Sequence, residues 1–219
     1  MTTYSDSFKV RVPTGTSDPE LSLEARFVAA AAAAPGGSAG AVVAPPHPLY
    51  GGTMGNSVVA ATAEGLGRAG VASLLFNYRG TEASEGEPSD SLEAAVADYQ
   101  AALAELRARA QGPHLAAGYS FGAGTALLSS RDDARLAGVV LIAPPVGMLR
   151  EDDLKAFGGR VLVIVGDDDD YAPVPELTAR LLARPDAVLE VLPGADHFFH
   201  FGGLGAISAL ITRHVRDWL

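Results

Sequence analysis

The sequence predicts an α/β fold: a mostly parallel β-sheet with helices on both faces. Three observations predict it. Short apolar runs recur along the chain, stretches of helical spacing lie between them, and 219 residues fit one domain, read here as 1–219. A chain of this length buries about 70% of the surface its unfolded form exposes, so no disulfide or structural metal is required.

The first element is the stretch 21–27, where Leu21, Leu23, Ala25 and Phe27 alternate with Ser22, Glu24 and Arg26, the period-two pattern of a half-buried strand. The alanine run 29–34 and the glycine-rich residues 35–40 read as a strand end and turn. The runs 40–44, 71–77, 115–117, 139–143, 161–165 and 188–192 read as strands buried on both faces. Between them, 56–68, 92–110, 121–130, 174–182 and 205–219 carry helical spacing. In the second of these Leu92, Val96, Tyr99, Leu103 and Leu106 recur every three or four residues, with Asp90 or Ser91 as N-cap. The acidic stretch 82–90 follows a strand's C-terminal end, where parallel sheets place their ligands.

Composition removes whole classes of function. With no cysteine, thiol nucleophiles, thiolate zinc sites and iron–sulfur clusters are excluded. A formal net charge of −10 disfavours nucleic acid and anionic membrane surfaces as partners. The only lysines, Lys9 and Lys155, do not follow glycine, so a phosphate-binding loop ending in Gly-Lys-Ser/Thr is absent. Residues 1–8 lack a basic segment followed by an apolar one, and Pro and Gly interrupt every candidate membrane span. A soluble, cytoplasmic protein is the expectation.

The pattern Gly-x-Ser-x-Gly occurs twice, around Ser38 and around Ser120. A nucleophile elbow needs a strand before it and a helix after it. Ser120 has both, whereas Ser38 follows Pro35 and precedes a strand, which makes it a turn residue. The alternative for Ser120 is a glycine-rich turn without chemistry. Gly65 to Gly70 matches the dinucleotide fingerprint letter for letter but lies after a helix and before a strand, the reverse of the binding order, and reads as a glycine-capped helix end. An EF-hand starting at Asp167 fails at Ala172 and Thr178. One carboxylate of Asp167–Asp170, just beyond a strand, is placed to reach a histidine. Of the five histidines, His197 follows a strand and a turn spanning 193–196; paired with His200 it reads alternatively as a metal ligand, although no Glu follows it.

The order Ser120, Asp, His197 resembles that of the α/β-hydrolase superfamily, near its small, lidless, bacterial dienelactone-hydrolase-like branch. The resemblance runs from Leu21 to the C-terminus through Pro46-His47-Pro48-Leu49-Tyr50-Gly51-Gly52, Asn77-Tyr78-Arg79-Gly80, Gly118-Tyr119-Ser120-Phe121-Gly122, Gly166-Asp167-Asp168-Asp169 with Pro173, and Gly194-Ala195-Asp196-His197-Phe198-Phe199. It implies Asp169 as the acid, three residues after the glycine and four before the proline. Dienelactone hydrolases proper use cysteine, so the serine here implies esterase-like chemistry without a cofactor. His197 would be the base, Asp169 its orienting partner, and the oxyanion would meet the N–H of Phe121 and that of His47 or Leu49.

Tyr50, Arg79 and Tyr119 are candidate substrate contacts; Arg79 alternatively braces its loop, and the His47 side chain alternatively packs beneath the site. Only fifteen residues, 145–159, separate Pro144 from Arg160, too few for a cap domain. An open site implies small to medium ester-like substrates. Glu82, Glu85, Glu87, Glu151, Asp152 and Asp153 are expected on loops rimming that face. The rival expectation is a non-hydrolytic protein of the same fold performing acyl transfer, cyclisation or lyase chemistry. The sequence leaves the oligomeric state open.

Overall fold

The computed structural model describes residues 5–13, 21–30 and 39–219. One eight-stranded sheet organises them, in the order β1-β2-β4-β3-β5-β6-β7-β8. The strands are β1 (Phe8–Val12), β2 (Leu21–Val28), β3 (Ala39–Ala44), β4 (Val71–Phe76), β5 (His114–Tyr119), β6 (Leu136–Ile142), β7 (Arg160–Asp168) and β8 (Val188–Asp196). β1 and β2 run antiparallel to their neighbours, and every pairing from β4 through β3 to β8 is parallel. The helices are α1 (Ser57–Arg68), α2 (Leu92–Arg109), α3 (Phe121–Ser130), α4 (Glu151–Ala156), α5 (Val174–Leu181) and α6 (Leu204–Arg216). The layered α/β architecture is the one the sequence predicts.

Two apolar cores flank the sheet. α2, α3, α4 and α5 close one with Tyr99, Leu103, Leu106, Leu127, Leu154 and Leu177, and α1 and α6 close the other with Val59, Leu66, Ile207 and Ile211. β3 and β4 are buried along their whole length, as their unbroken apolar runs imply. β8 is different. It is an edge strand, only part-buried, with β7 as its one neighbour among the described residues, and this corrects the reading of all the runs as doubly buried. Residues 193–196, expected as a turn, continue β8, with Gly194 at φ +68° and a register shift opposite Gly166.

β1 has no counterpart in the predicted elements, although Phe8, Val10 and Val12 alternate with Lys9 and Arg11 and bury Val10 and Val12. α2 is capped by Ser91, whose hydroxyl accepts from the Ala94 N–H, so Ser91 rather than Asp90 is the cap. The fingerprint-like glycines end α1, with Gly70 at φ +90°. Ser38 and most of the alanine run lie outside the described residues. Between β6 and β7 there is one 3₁₀ turn and the six-residue α4, and no cap domain. None of the described helices is long and apolar enough to cross a membrane.

One buried polar group ties a helix to the strands beneath the site. The Tyr99 hydroxyl on α2 accepts from the Ala117 N–H at 2.9 Å and shares its proton between the Val42 and Ala117 carbonyls at 3.0 and 3.1 Å. β3 and β5 are thereby joined behind the loops they carry. Tyr99→Phe leaves these buried backbone groups without that partner. The expected cost is about 1–3 kcal/mol, read by urea titration, with a melting temperature lower by about 2–4 °C per kcal/mol.

Candidate active site

Parallel strands deliver their C-terminal ends to one edge of the sheet, and the segments singled out in the sequence converge there. Ser120 follows β5 directly and begins α3. Its backbone sits at φ +55°, ψ −121°, a conformation that costs a non-glycine residue about 1–3 kcal/mol. The neighbours hold it there: the Ser120 N–H donates to Ile142 O at 2.8 Å, and the Ala123 N–H donates to Ser120 O at 2.9 Å. The flanking glycines are required sterically. A Cβ on Gly118 would lie 2.1 Å from Gly122 O, and one on Gly122 would lie 2.4 Å from Pro45 O. Although Ser120 is the N-cap of α3, its side chain makes no capping bond.

Instead, Ser120 Oγ lies 2.9 Å from His197 Nε2. His197 Nδ1 lies 2.9 and 2.8 Å from the two oxygens of Asp169. Asp169 Oδ1 also accepts from the Tyr171 and Ala172 N–H groups, each at 2.9 Å. Asp169 and His197 are 4% and 6% exposed, whereas Asp167, Asp168 and Asp170 face solvent, so among the four consecutive aspartates only Asp169 reaches the imidazole. Tyr119 O–H donates to His197 O at 3.0 Å, and burial, reinforced by the charges of Asp169 and Asp196, pushes its phenol pKa well up, keeping it a donor. The line serine, imidazole, carboxylate is one that can move a proton from a hydroxyl to a buried, oriented base.

The loop after β3 brings His47 beside α3. Its ring packs on Phe121 at 4.5 Å and on Tyr50 at 4.8 Å between centroids. Its Nδ1 accepts from the Leu49 N–H at 3.2 Å, and burial lowers its pKa, outweighing the raising effect of Asp90, so the imidazole is neutral with its proton on Nε2. That bond occupies the Leu49 amide, which removes Leu49 from the pair expected to offer a second backbone donor. Among the described residues, the His47 and Phe121 amides have no protein acceptor.

Of the two readings of Arg79, the structure gives the brace and not the substrate contact. Its Nη2 and Nε bind Asp98 Oδ1 at 2.6 and 3.1 Å, and Nη2 also reaches Ala94 O, so the guanidinium braces the loop after β4 against α2 instead of awaiting a substrate. Of the residues expected on an acidic rim, Asp153 is buried, while Glu82, Glu85, Glu87, Glu151 and Asp152 are exposed but do not line the cleft. The cleft over Ser120, about 400 Å³, is lined by no Asp, Glu, Lys or Arg. Asp153 is buried against Arg131, and Glu85 accepts from the Ser22 N–H. Tyr50 and Tyr119 do line the cleft. So do Tyr171, Phe198, Met148 and Asn56, which were not singled out as site residues; the signal available was an aromatic residue two places after Asp169 and another directly after His197. A larger depression of about 550 Å³ between α2 and the α3–β6 loop contains no histidine, and its arginines pair with Asp132, Asp133 and Asp153.

The metal reading of His197 with His200 does not hold. Both ring nitrogens of His197 are engaged by Ser120 and Asp169, and His200 Nδ1 pairs with Asp196 at 3.0 Å. No cluster of three or more metal-ligating side chains occurs among the described residues.

A family model described as serine aminopeptidase, S33 matches residues 50–157, a span that holds Ser120 but neither Asp169 nor His197. An uncharacterized protein of Rickettsia prowazekii is 31% identical over 195 residues, covering 84% of this chain and 80% of its own. An alpha-beta serine hydrolase homologue from Coxiella burnetii superposes with a TM-score of 0.80 at 28% identity, over 96% of this chain and 97% of that one. A serine hydrolase without a lid from Xanthomonas campestris matches with a TM-score of 0.80 at 25% identity, over 98% and 96%.

The strain at residue 120 is measurable. Ser120→Gly, for which positive φ carries no Cβ penalty, is expected to unfold about 1 kcal/mol harder than Ser120→Ala in chemical denaturation; equal stabilities would mean that the turn stores no strain. His47 is expected to titrate below the ordinary imidazole value of 6.5 in an NMR pH series, with Nε2 protonated throughout the neutral range. Because the unfolded chain then takes up that proton first, acidification through the window below 6.5 costs stability at this residue.

Proposed function

We propose that this chain, which belongs to the α/β-hydrolase superfamily, is a serine hydrolase that cleaves small to medium carboxylic esters or related acyl compounds through an acyl-enzyme on Ser120. The observation that carries the reading is the unbroken line of contacts from Ser120 Oγ through His197 to the buried Asp169. Similarity to the Coxiella and Xanthomonas serine hydrolases supports it.

In this mechanism Ser120 Oγ bonds to the ester carbonyl carbon while its proton passes to His197 Nε2. The carbonyl electron pair moves onto oxygen, and the N–H groups of Phe121 and His47 receive the charge at the start of α3, where the helix dipole is also favourable. The tetrahedral species collapses by breaking the bond to the alcohol oxygen, which leaves with the proton from Nε2. Water then gives its proton to Nε2 and attacks the acyl carbon, and the second collapse returns that proton to Ser120 Oγ as the carboxylic acid leaves. Asp169 holds the imidazole orientation and stabilises its charged form without taking the proton.

Esters are favoured over peptides by the lining. A terminal ammonium calls for a carboxylate partner, and the residues lining the cleft include none. With 145–159 too short for a cap and the cleft open to solvent, a long acyl chain would find little to bury it.

The test is intact-mass labelling with a fluorophosphonate, followed by ester hydrolysis. One adduct is expected in the wild type and in Ser38→Ala, and none in Ser120→Ala, with kcat lower by roughly 10⁶-fold in the last and by roughly 10⁴-fold in Asp169→Asn. Folded protein that takes no label, or a Ser120→Ala variant that keeps its activity, would overturn the proposal in favour of transfer, cyclisation or lyase chemistry in the same pocket.

A further inference from the structure

We infer that the alcohol side of the substrate is selected by an aromatic pair, Tyr171 and Phe198, and that the preferred substrates are neutral esters whose leaving alcohol carries a flat aromatic ring. The inference rests on the roles proposed for Ser120 and His197 and adds the substrate class to them.

The argument starts from the proton. The departing oxygen must come within hydrogen-bond reach of His197 Nε2 to take the proton it leaves with. The alcohol portion therefore lies over the imidazole and whatever surrounds it. Three rings contact it: Tyr119 lies 5.8 Å away and is buried, while the two exposed ones are Tyr171, with centroids 4.7 Å from His197, and Phe198, edge-on to it at 5.2 Å and 89°. The two rings meet each other at 6.3 Å and 78°. Tyr50, the other exposed ring at the mouth, packs on His47 in the loop after β3, which lies on the other side of β5 from β7 and β8.

Both rings line the cleft yet remain 58% and 51% exposed, apolar surface that no described part of the chain covers. The backbone that carries them is tied to the catalytic pair. The Tyr171 N–H donates to Asp169 Oδ1, its carbonyl accepts from the Val146 N–H at 3.0 Å, and Phe198 is the residue after His197. A planar ring entering there gains edge-to-face or offset contacts that a saturated ring of equal size does not, because only the aromatic ring has the matching quadrupole. The uncharged lining selects against anionic or cationic alcohols.

The experiment compares benzyl acetate with cyclohexylmethyl acetate, each kcat/KM divided by the same ester's alkaline hydrolysis rate to remove intrinsic reactivity. The wild type is expected to favour the benzyl ester by about two- to tenfold. Tyr171→Leu and Phe198→Leu are expected to bring that ratio toward one. On the acyl side, methyl phenylacetate against methyl cyclohexylacetate is expected to give a ratio that the two substitutions do not move. A wild-type ratio near one, a ratio unmoved while both rates fall together, or an acyl-side ratio that moves equally would overturn the inference, the second outcome leaving the rings as a mere shield for His197. Fluorophosphonate labelling of Ser120 in each sample separates the levels: label with turnover but without the ratio removes only the aromatic selectivity, and no label in folded protein removes the hydrolase reading with it.

Discussion

The strained turn at Ser120 is the constraint on which the site depends. Its positive φ directs the side chain away from the helix it starts, so the hydroxyl reaches His197 instead of capping α3. That geometry is affordable only because β5, α3 and the β3 loop approach within contact of glycine hydrogens. With Cβ atoms at residues 118 and 122 they would overlap the backbone. The apolar burial of β3, β5 and α3 supplies the stability against which the strain is set.

From that turn the rest of the site follows by strand order. β5 lies between β3 and β6, and β7 and β8 come next. Ser120 therefore sits beside the loop that carries His47 on one side, with Asp169 two strands away and His197 three strands away on the other. Edge position matters as well. β8 is the least buried of the parallel strands, and its extension to Asp196 carries His197 over the sheet, with Tyr119 O–H holding the backbone of the histidine from beneath.

Much of this was legible in the chain. The apolar runs marked β3 to β7 because strands buried on both faces need continuous hydrophobicity, the run in β8 marked a strand but not its exposure, and 121–130 was marked as a helix with the bounds observed. Ser120 was separable from Ser38 because an elbow depends on neighbours only a few residues away. Less legible was whatever depended on a partner distant in sequence. The edge exposure of β8, the capture of Arg79 by Asp98 nineteen residues on, and the burial of Asp153 under Arg131 all require knowing which segments pack together. Leu49 was excluded by a contact only two residues long, but one that depended on the rotamer of His47.

By itself, then, the sequence determined the layered fold, the serine on its turn, and the acid and histidine in their order, because periodicity and glycine sterics are local properties. Only the tertiary structure decided which amides stay unpaired and that the cleft is ringed by exposed aromatic side chains without a charge. The reason is distance: hydrogen bonds act over about 3 Å, and strand order alone brings residues seventy-seven positions apart to that separation.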